Sequence, residues 1–415
     1  MKSDLYLRSI TYTIDLFKIT SRNYRSKVAA DISKIRKGNE SAGIKIRTVR
    51  FNVIKIDASI RYELFSFIKL VEVLSEFSEG IGIRWFNLAF DLVGVSEKSA
   101  KHATYLAYEV MKRHSQSFIN LIVANDSMVN PMAAREAVRL VGKVSRLSWN
   151  GFDNFRLGIS VNPATETPFF PFSFSNNREL SYSVAVELTQ PLLNIIKSNS
   201  DMEYDQLRNK LICDLSPMVL SVEEVALSIE GDLGPEFKGQ DISLAPFPDT
   251  RISVVEALHL LGVKDIGENG TMFFTAYLTS ILKGILNSTE VKAVGFNGVM
   301  YSLLEDHLMC ISNDMKTLDI NKIISYSSLC GCGLDMVPIP GNFLIEDLSS
   351  IVMDVATIAI RHNKPLGIRA LPIPNKCVNE FTEFDSDFLT NTRVMNLNPS
   401  YISNEFFKIN KQEIF

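Results

Sequence analysis

Short apolar runs that read as strands alternate with amphipathic stretches that read as helices along most of this chain. That alternation limits the fold more than any single motif does. A strand followed by a helix that crosses back over the sheet favours parallel pairing, so the pattern predicts an α/β protein with mainly parallel strands. "GIKIRTVRFNVIKI" (43–56) alternates apolar and polar residues, as a half-buried strand does. Further strands are predicted at 81–94, 118–125, 155–162 and 182–189, and "PLGIRALPIP" (365–374) reads as a buried one. Asn130 before Pro131 marks a helix start. Ser221 with Glu224, and Ser253 with Glu256, each match a capping box. Gly262 is a natural left-handed end for the second of these helices. Leu348, Ile351, Val352, Val355 and Ala359 recur at helical spacing. No linker or composition break interrupts the order. The expectation is one large domain over 1–415, with 396–415 as a polar C-terminal tail.

The 415 residues are 46% hydrophobic and 22% charged, an ordinary globular mixture, and the net charge of −4 gives no general pull toward nucleic acid. Residues 18–37 carry seven Lys/Arg and one Asp, which reads as a solvated helix face. Asp4, Arg8 and Asp15 stand where a signal peptide would hold its apolar run. "TMFFTAYLTSIL" (271–282) is too short to span a bilayer and is expected to be a buried helix. A cytoplasmic protein without membrane contact is therefore expected. Five cysteines in such a chain argue against a disulfide framework.

Only Cys330 and Cys332 lie close together, in "SSLCGCGLDMVPIPGN" (327–342). Glycines let the main chain take angles other residues avoid, and the following prolines stiffen it. A thiol on a pliant tip with a rigid arm suits a nucleophilic Cys330; a buried free cysteine in a tight turn is the plainer alternative. Two thiols fall short of a zinc site, and the five histidines are scattered, so no metal is expected. Glu305 and Asp306, after the apolar, glycine-containing strand expected at "VKAVGFNGVM" (291–300), are either acid/base groups or helix-start carboxylates. Asp241 and Ser243 in "FKGQDISLAPFPD" (237–249) either contact substrate or bond local backbone. Phe169, Phe170 and Phe172 either line an apolar pocket or simply pack. Arg369 sits in an apolar strand, so it either pairs with a carboxylate such as Asp335 or Glu305 or receives an anionic ligand. Nucleotide-binding loops, nucleophile elbows and zinc-protease motifs are missing.

Several of these stretches resemble the "PFL family protein" group, domain of unknown function 711. The matching landmarks are "FFP" (169–171), "GQDISLAP" (239–246), "ED" (305–306), "CGCGLDMVPIPG" (330–341), "KPLGIRALPIP" (364–374) and "TEFD" (382–385). "IRTVR" (46–50) extends the likeness forward. That group looks like the pyruvate formate-lyase and ribonucleotide reductase architecture. The resemblance implies a ten-stranded α/β barrel ringed by helices, with 327–342 as a central finger loop carrying Cys330 at its tip. It also implies a small amino-acid-sensing partner protein. This chain departs from the group's pattern at Cys332, usually Thr, at Asn375 and Asn379, where glycines are expected, and at Gln240 and Tyr301. Asparagine tolerates left-handed φ, so the fold is expected to survive. Gly367 is the last glycine, which leaves no residue for a C-terminal glycyl radical.

The functional expectation is a thiol-dependent enzyme, reaction unassigned, acting on a small anionic metabolite, with a non-catalytic binding or regulatory protein as the alternative. Cys330, Asp335, Glu305 and Asp306 are the catalytic candidates. Arg369, Asp241, Ser243, Phe170 and Cys332 are the substrate-binding candidates. No cofactor is indicated, cobalamin included, and a homo-oligomer is the default for such a protein.

Overall fold

The structure is a computed structural model, and it describes residues 5–231, 234–248, 250–399, 407 and 412–413. Most of the expected tail at 396–415, and Asp4 at the amino end, lie outside the described residues. Thirteen strands form one sheet: β1 (Tyr6–Ile14), β2 (Lys45–Ile46), β3 (Val49–Val53), β4 (Ile56–Asp57), β5 (Trp85–Asp91), β6 (Ser117–Ala124), β7 (Met128–Val129), β8 (Leu157–Val161), β9 (Ser181–Val186), β10 (Glu236–Asp241), β11 (Gly333–Pro340), β12 (Leu366–Ile373) and β13 (Gln412–Glu413). The main path runs β10-β9-β1-β3-β5-β6-β8-β12-β11. Along this path pairing is parallel except at β9/β1 and β8/β12; off it, β7 pairs antiparallel with β6 and β13. This is the mixed, mostly parallel α/β sheet that the alternation predicts, with helices packed around it. Strands β3, β6, β8, β9, β11 and β12 are buried along their whole length, as parallel strands covered on both faces are.

The two end strands of that path share a neighbour. The segment 291–302 makes parallel bridges to the β10 side at Gln240↔Ala293 and Leu244↔Val299, and to β11 at Ser302↔Asp335. Val299 O also accepts from Gly331 N at 2.6 Å. The expected strand at 291–300 is thus present as isolated bridges.

Helix starts follow the sequence at two of three places. Asn130 accepts from Ala133 N at 3.1 Å and opens the helix Pro131–Val144. Ser253 accepts from Glu256 N at 3.3 Å beside the helix Val255–Leu260. Ser221 caps nothing. It lies inside the helix Tyr204–Glu230, where its hydroxyl donates to Met218 O at 2.8 Å. A continuous buried stripe through Leu215, Val219, Val222 and Ala226 carries the helix past that serine. Residues 271–282 belong to the helix Thr271–Thr289, with Met272 and Phe273 exposed; no helix of the described residues is long and apolar enough to cross a membrane.

The stretch expected as a finger loop, 327–342, divides into a turn and an extended arm. Residues 333–340 form strand β11, and only 327–332 turn. Pro338 and Pro340 are tolerated because β11 ends the path, so their missing N–H groups break no ladder on its outer side. A different stretch runs through the interior. Residues 166–175 are buried throughout. Ser9 and Thr11 on β1 donate to Pro168 O at 3.0 and 3.1 Å, and Asn87 on β5 and Asn120 on β6 donate to Ser173 O at 2.7 and 3.3 Å. Gly158 on β8 and Gly367 on β12 give it room, since a Cβ at either would lie within 2.7 Å of Pro171 or Phe172.

Candidate functional site

Phe169, Phe170 and Phe172, carried by this buried connection, form one wall of an interior cavity of about 110 Å³. Trp85, Phe118, Phe155, Phe296 and Phe388 complete the aromatic surface. The polar groups facing the cavity are Arg8, Arg47, Arg50, Arg369, Ser302, Glu305, Asp335 and Cys332. Four guanidinium groups therefore meet two carboxylates among aromatic rings, where charge is expensive unless paired.

Arg369 is paired with both acids. Its Nε and Nη2 donate to the two oxygens of Asp335 at 2.5 and 2.7 Å, and Nη2 also reaches Glu305 Oε2 at 3.0 Å. A β-bulge makes this possible. The β11/β12 register shifts between Leu334 and Val337, with Met336 at φ +55°, and the kink brings Asp335 onto the face where Arg369 lies. Burial pushes the Asp335 carboxyl up despite the guanidinium. Burial also opposes ionisation of Glu305, but Arg369, Arg8 and the Ser302 hydroxyl outweigh it and hold that carboxyl low.

Arg47 pairs with Glu187 at 2.6 Å. Arg8 and Arg50 have no carboxylate partner among the described residues. Arg8 donates to Pro246 O at 2.7 Å and lies over the Phe247 ring at 5.0 Å. Arg50 donates to Thr48 Oγ1 at 3.2 Å, stacks over Phe170 at 4.8 Å and is only 8% exposed. Burial, with Arg8 close by, drags the Arg50 guanidinium down to about 9.

The two acids of "LLEDHL" part company. Glu305 faces the cavity, whereas Asp306 caps helix starts: it accepts from Ser253 Oγ, Val254 N and Val255 N, and from Leu308 N and Met309 N of the helix His307–Asp314. The catalytic expectation for Asp306 is therefore corrected to the helix-start alternative. Asp241 and Ser243 also lie away from the cavity. Asp241, at the end of β10, accepts from Ser243 N and Oγ and from Phe296 N and Asn297 N, and Ser243 Oγ accepts from Gly298 N. They tie β10 to the loop 295–298: Asp241 bonds local backbone at Ser243 N, and both residues also take N–H groups from that distant loop. Asn375 and Asn379 take φ of +60° and +71°, the left-handed angles expected of glycine stand-ins.

The thiols separate as well. Cys332 faces the cavity, whereas Cys330 faces a second cleft outside it, with Lys364, Thr279 and Asn297. Cys330 is buried, at 1% exposure, but lines this second cleft and not the arginine-lined cavity. Successive bends at 330–332 leave the two residues lining different cavities while their sulfurs stay close. Gly331 crosses Gly298 so closely that a Cβ on either would lie 2.7–2.9 Å from the other's Cα. The Cys332 thiol lies within hydrogen-bond reach of the Cys330 sulfur and 3.5 Å from Tyr301 O. That contact, the Lys364 ammonium and the backbone N–H groups of Cys332 and Gly333 outweigh burial and bring Cys330 down to about 6; the same contact and burial push Cys332 up.

A pH dependence follows from this pair. Free thiols titrate at 9.0, so between pH 6 and 9 the folded pair has released a proton that the unfolded chain retains. Stability contributed by the pair rises with pH across that window. Above pH 9 it falls again, because the unfolded chain then loses both protons while folded Cys332 keeps its own. Urea titrations at stepped pH are expected to trace this rise and fall, and Cys330→Ser is expected to flatten the rise. Iodoacetamide labelling of Cys330 is expected to be half-maximal near pH 6.

No group of three or more His, Cys, Asp and Glu able to hold a metal occurs among the described residues. The family pattern described as "Uncharacterised ACR (DUF711)" matches residues 1–391. The chain belongs to the DUF711 family. This DUF711 chain is similar to a UPF0210 protein of Clostridium perfringens, 24% identical over 96% of this chain and 92% of that protein. It is 25% identical to a UPF0210 protein of Acetivibrio thermocellus over 92% of this chain and 89% of that one. Similarity to a UPF0210 protein of Oenococcus oeni, at 27% identity, spans 63% of this chain and 59% of that protein.

Sequence reasoning missed Arg8, Arg47 and Arg50 as cavity residues. The signal was present. Arg50 interrupts an apolar strand just as Arg369 does, and the argument applied to Arg369 holds for it too.

Proposed function

We propose that this DUF711 protein takes a small anionic metabolite into the arginine-lined cavity and acts on it with a thiol. Cys332 would be the sulfur beside the ligand, with the Cys330 thiolate behind it. The observation that carries the reading is Arg50, a buried cation without a carboxylate partner, held against an aromatic ring. Burial of an unpaired charge is costly, and an anionic ligand would offset that cost. In this reading the sheet closes as a ten-stranded barrel of the pyruvate formate-lyase kind, without glycyl-radical chemistry. The bridges from 291–302 to both end strands support the closure.

A binding or regulatory role without turnover is the second reading, and one observation favours it. Both oxygens of Asp335 and one of Glu305 are already engaged by Arg369, which leaves little free acid/base capacity. The test is a thermal-shift series with acetate, propionate, lactate, phosphate and sulfate on wild type and Arg50→Gln. Stabilisation of wild type alone is expected. Equal stabilisation of both, or of neither, overturns the cavity reading. Recovery of the stabilising ligand unchanged after incubation supports binding; its loss in wild type but not in Cys332→Ala supports catalysis.

A further inference from the structure

Cys330 does not face the anion cavity. It lies buried at the floor of a separate cleft of about 470 Å³ that also takes in Thr279, Lys283, Asn297, His362 and Lys364. Lys364 is held over this floor by its own hydrogen bonds to Ser327 O, at 3.0 Å, and to Cys330 O. Its ammonium is thereby held beside the Cys330 backbone, and its charge favours the thiolate. Behind Cys330, the Cys332 thiol is within hydrogen-bond reach, and no disulfide joins the two. A thiolate favoured by a cation and by backbone N–H groups, with a second thiol beside it, has the parts of an oxidant-reactive pair. Residues two apart are at most about 7 Å apart along an extended chain. The bends at 330–332 shorten that span, and Gly331 carries no side chain to resist a small ring.

We propose that Cys330 and Cys332 form a peroxide-reactive thiol pair, with Cys330 the site of attack from the outer cleft and Cys332 the resolving thiol. The Cys330 thiolate attacks one oxygen of a hydroperoxide and forms an S–O bond. The O–O bond breaks, and its electron pair leaves with the second oxygen, which takes up a proton as water or alcohol. Cys332 sulfur then attacks the Cys330 sulfenic acid. The S–S bond forms as the S–O bond breaks, and the hydroxide leaves with the Cys332 proton as water. Two electrons pass from the two thiols to the peroxide. Closure of this disulfide draws the Cys332 sulfur from the cavity wall toward the outer cleft. On the cavity reading above, oxidation from outside would thus alter the interior site.

The test uses the full chain and hydrogen peroxide, read by mass mapping of its peptides, which needs no ligand and no assay of turnover. Exposed Cys213 and Cys377 serve as internal references. In wild type, the peptide holding Cys330 and Cys332 is expected to lose two hydrogens, several-fold faster than either exposed thiol gains oxygen. In Cys332→Ser, dimedone is expected to capture a sulfenic acid at Cys330; in Cys330→Ser, Cys332 is expected to stay reduced. Preferential oxidation of Cys213 and Cys377 while the pair stays reduced in folded wild type overturns the proposal, whatever the variants do. Capture of dimedone at Cys332 instead of Cys330 overturns the assignment of roles. Neither result bears on whether Arg50 receives an anion.

Discussion

Arg369→Met is expected to lower stability by about 3–5 kcal/mol, seen as a large fall in the urea midpoint with little change in slope. The magnitude comes from what the change leaves behind. Asp335 is 4% exposed and Glu305 nearly as enclosed, and Arg369 supplies the paired hydrogen bonds that offset their burial. Without it, two carboxylates face each other across a cavity of aromatic rings. They will take up protons instead, so the loss is expected to shrink as pH falls toward the ordinary carboxylate range. The sign follows from linkage: the variant's folded state binds protons that its unfolded state gives up. Removing all three charges together, with Asp335→Asn and Glu305→Gln added, is expected to restore much of the stability. A loss that is the same at every pH, or that the triple change leaves intact, would mean that stacking of the planar guanidinium over Phe155 and Phe172, and not its pairing with the two acids, holds the site.

The same triad shows how far the sequence could be read. Arg369 inside an apolar strand demanded a counter-charge, and the acids named for it were the right ones. The reason is local: a buried cation limits its partners to the few buried acids nearby. What failed to show was direction. Cys330 and Cys332 are two residues apart and would share a face in a regular strand, yet with bends at 330–332 they line different cavities while their sulfurs stay close. Glu305 and Asp306 adjoin, yet one faces the cavity and the other caps helix starts, because Asp306 precedes His307 by the one step a cap requires. Asp241 and Ser243 looked like a substrate loop, but the backbone N–H groups that engage them come from 296–298, far along the chain. The prolines of "VPIPG" stiffen an extended stretch, and that stretch is strand β11; nothing local announces that it ends the strand path, where a missing donor breaks no ladder on the outer side. The Phe-rich stretch at 166–175 could be recognised as interior only from the polar groups on β1, β5 and β6 that receive its carbonyls.

Arg50→Met is expected to act in the opposite direction to Arg369→Met, although both remove a buried guanidinium from one cavity. Arg50 lies between Thr11 of β1 and Trp85 of β5, with a single neutral hydrogen-bond partner; Glu305 favours its charge from a distance, but burial and the like charges Arg8 and Arg369 outweigh that. Its charged form is disfavoured where it sits, and the lowering to about 9 records that penalty. An unbranched apolar side chain of similar length would keep the contact with Phe170 and shed the charge, so a gain of about 1–2 kcal/mol is expected without ligand. Residues kept at a cost to stability mark sites where binding supplies the compensation. A bound anion at a hundred times its dissociation constant contributes about 2.7 kcal/mol. Wild type saturated with the right anion is therefore expected to match or exceed the variant, while the variant gains nothing from the same addition. The two urea curves cross between the ligand-free and ligand-saturated conditions. If Arg50→Met instead unfolds as easily as Arg369→Met without any anion, Arg50 is a structural cation with a partner of its own, and the cavity loses the residue that marks it as a receptor for negative charge.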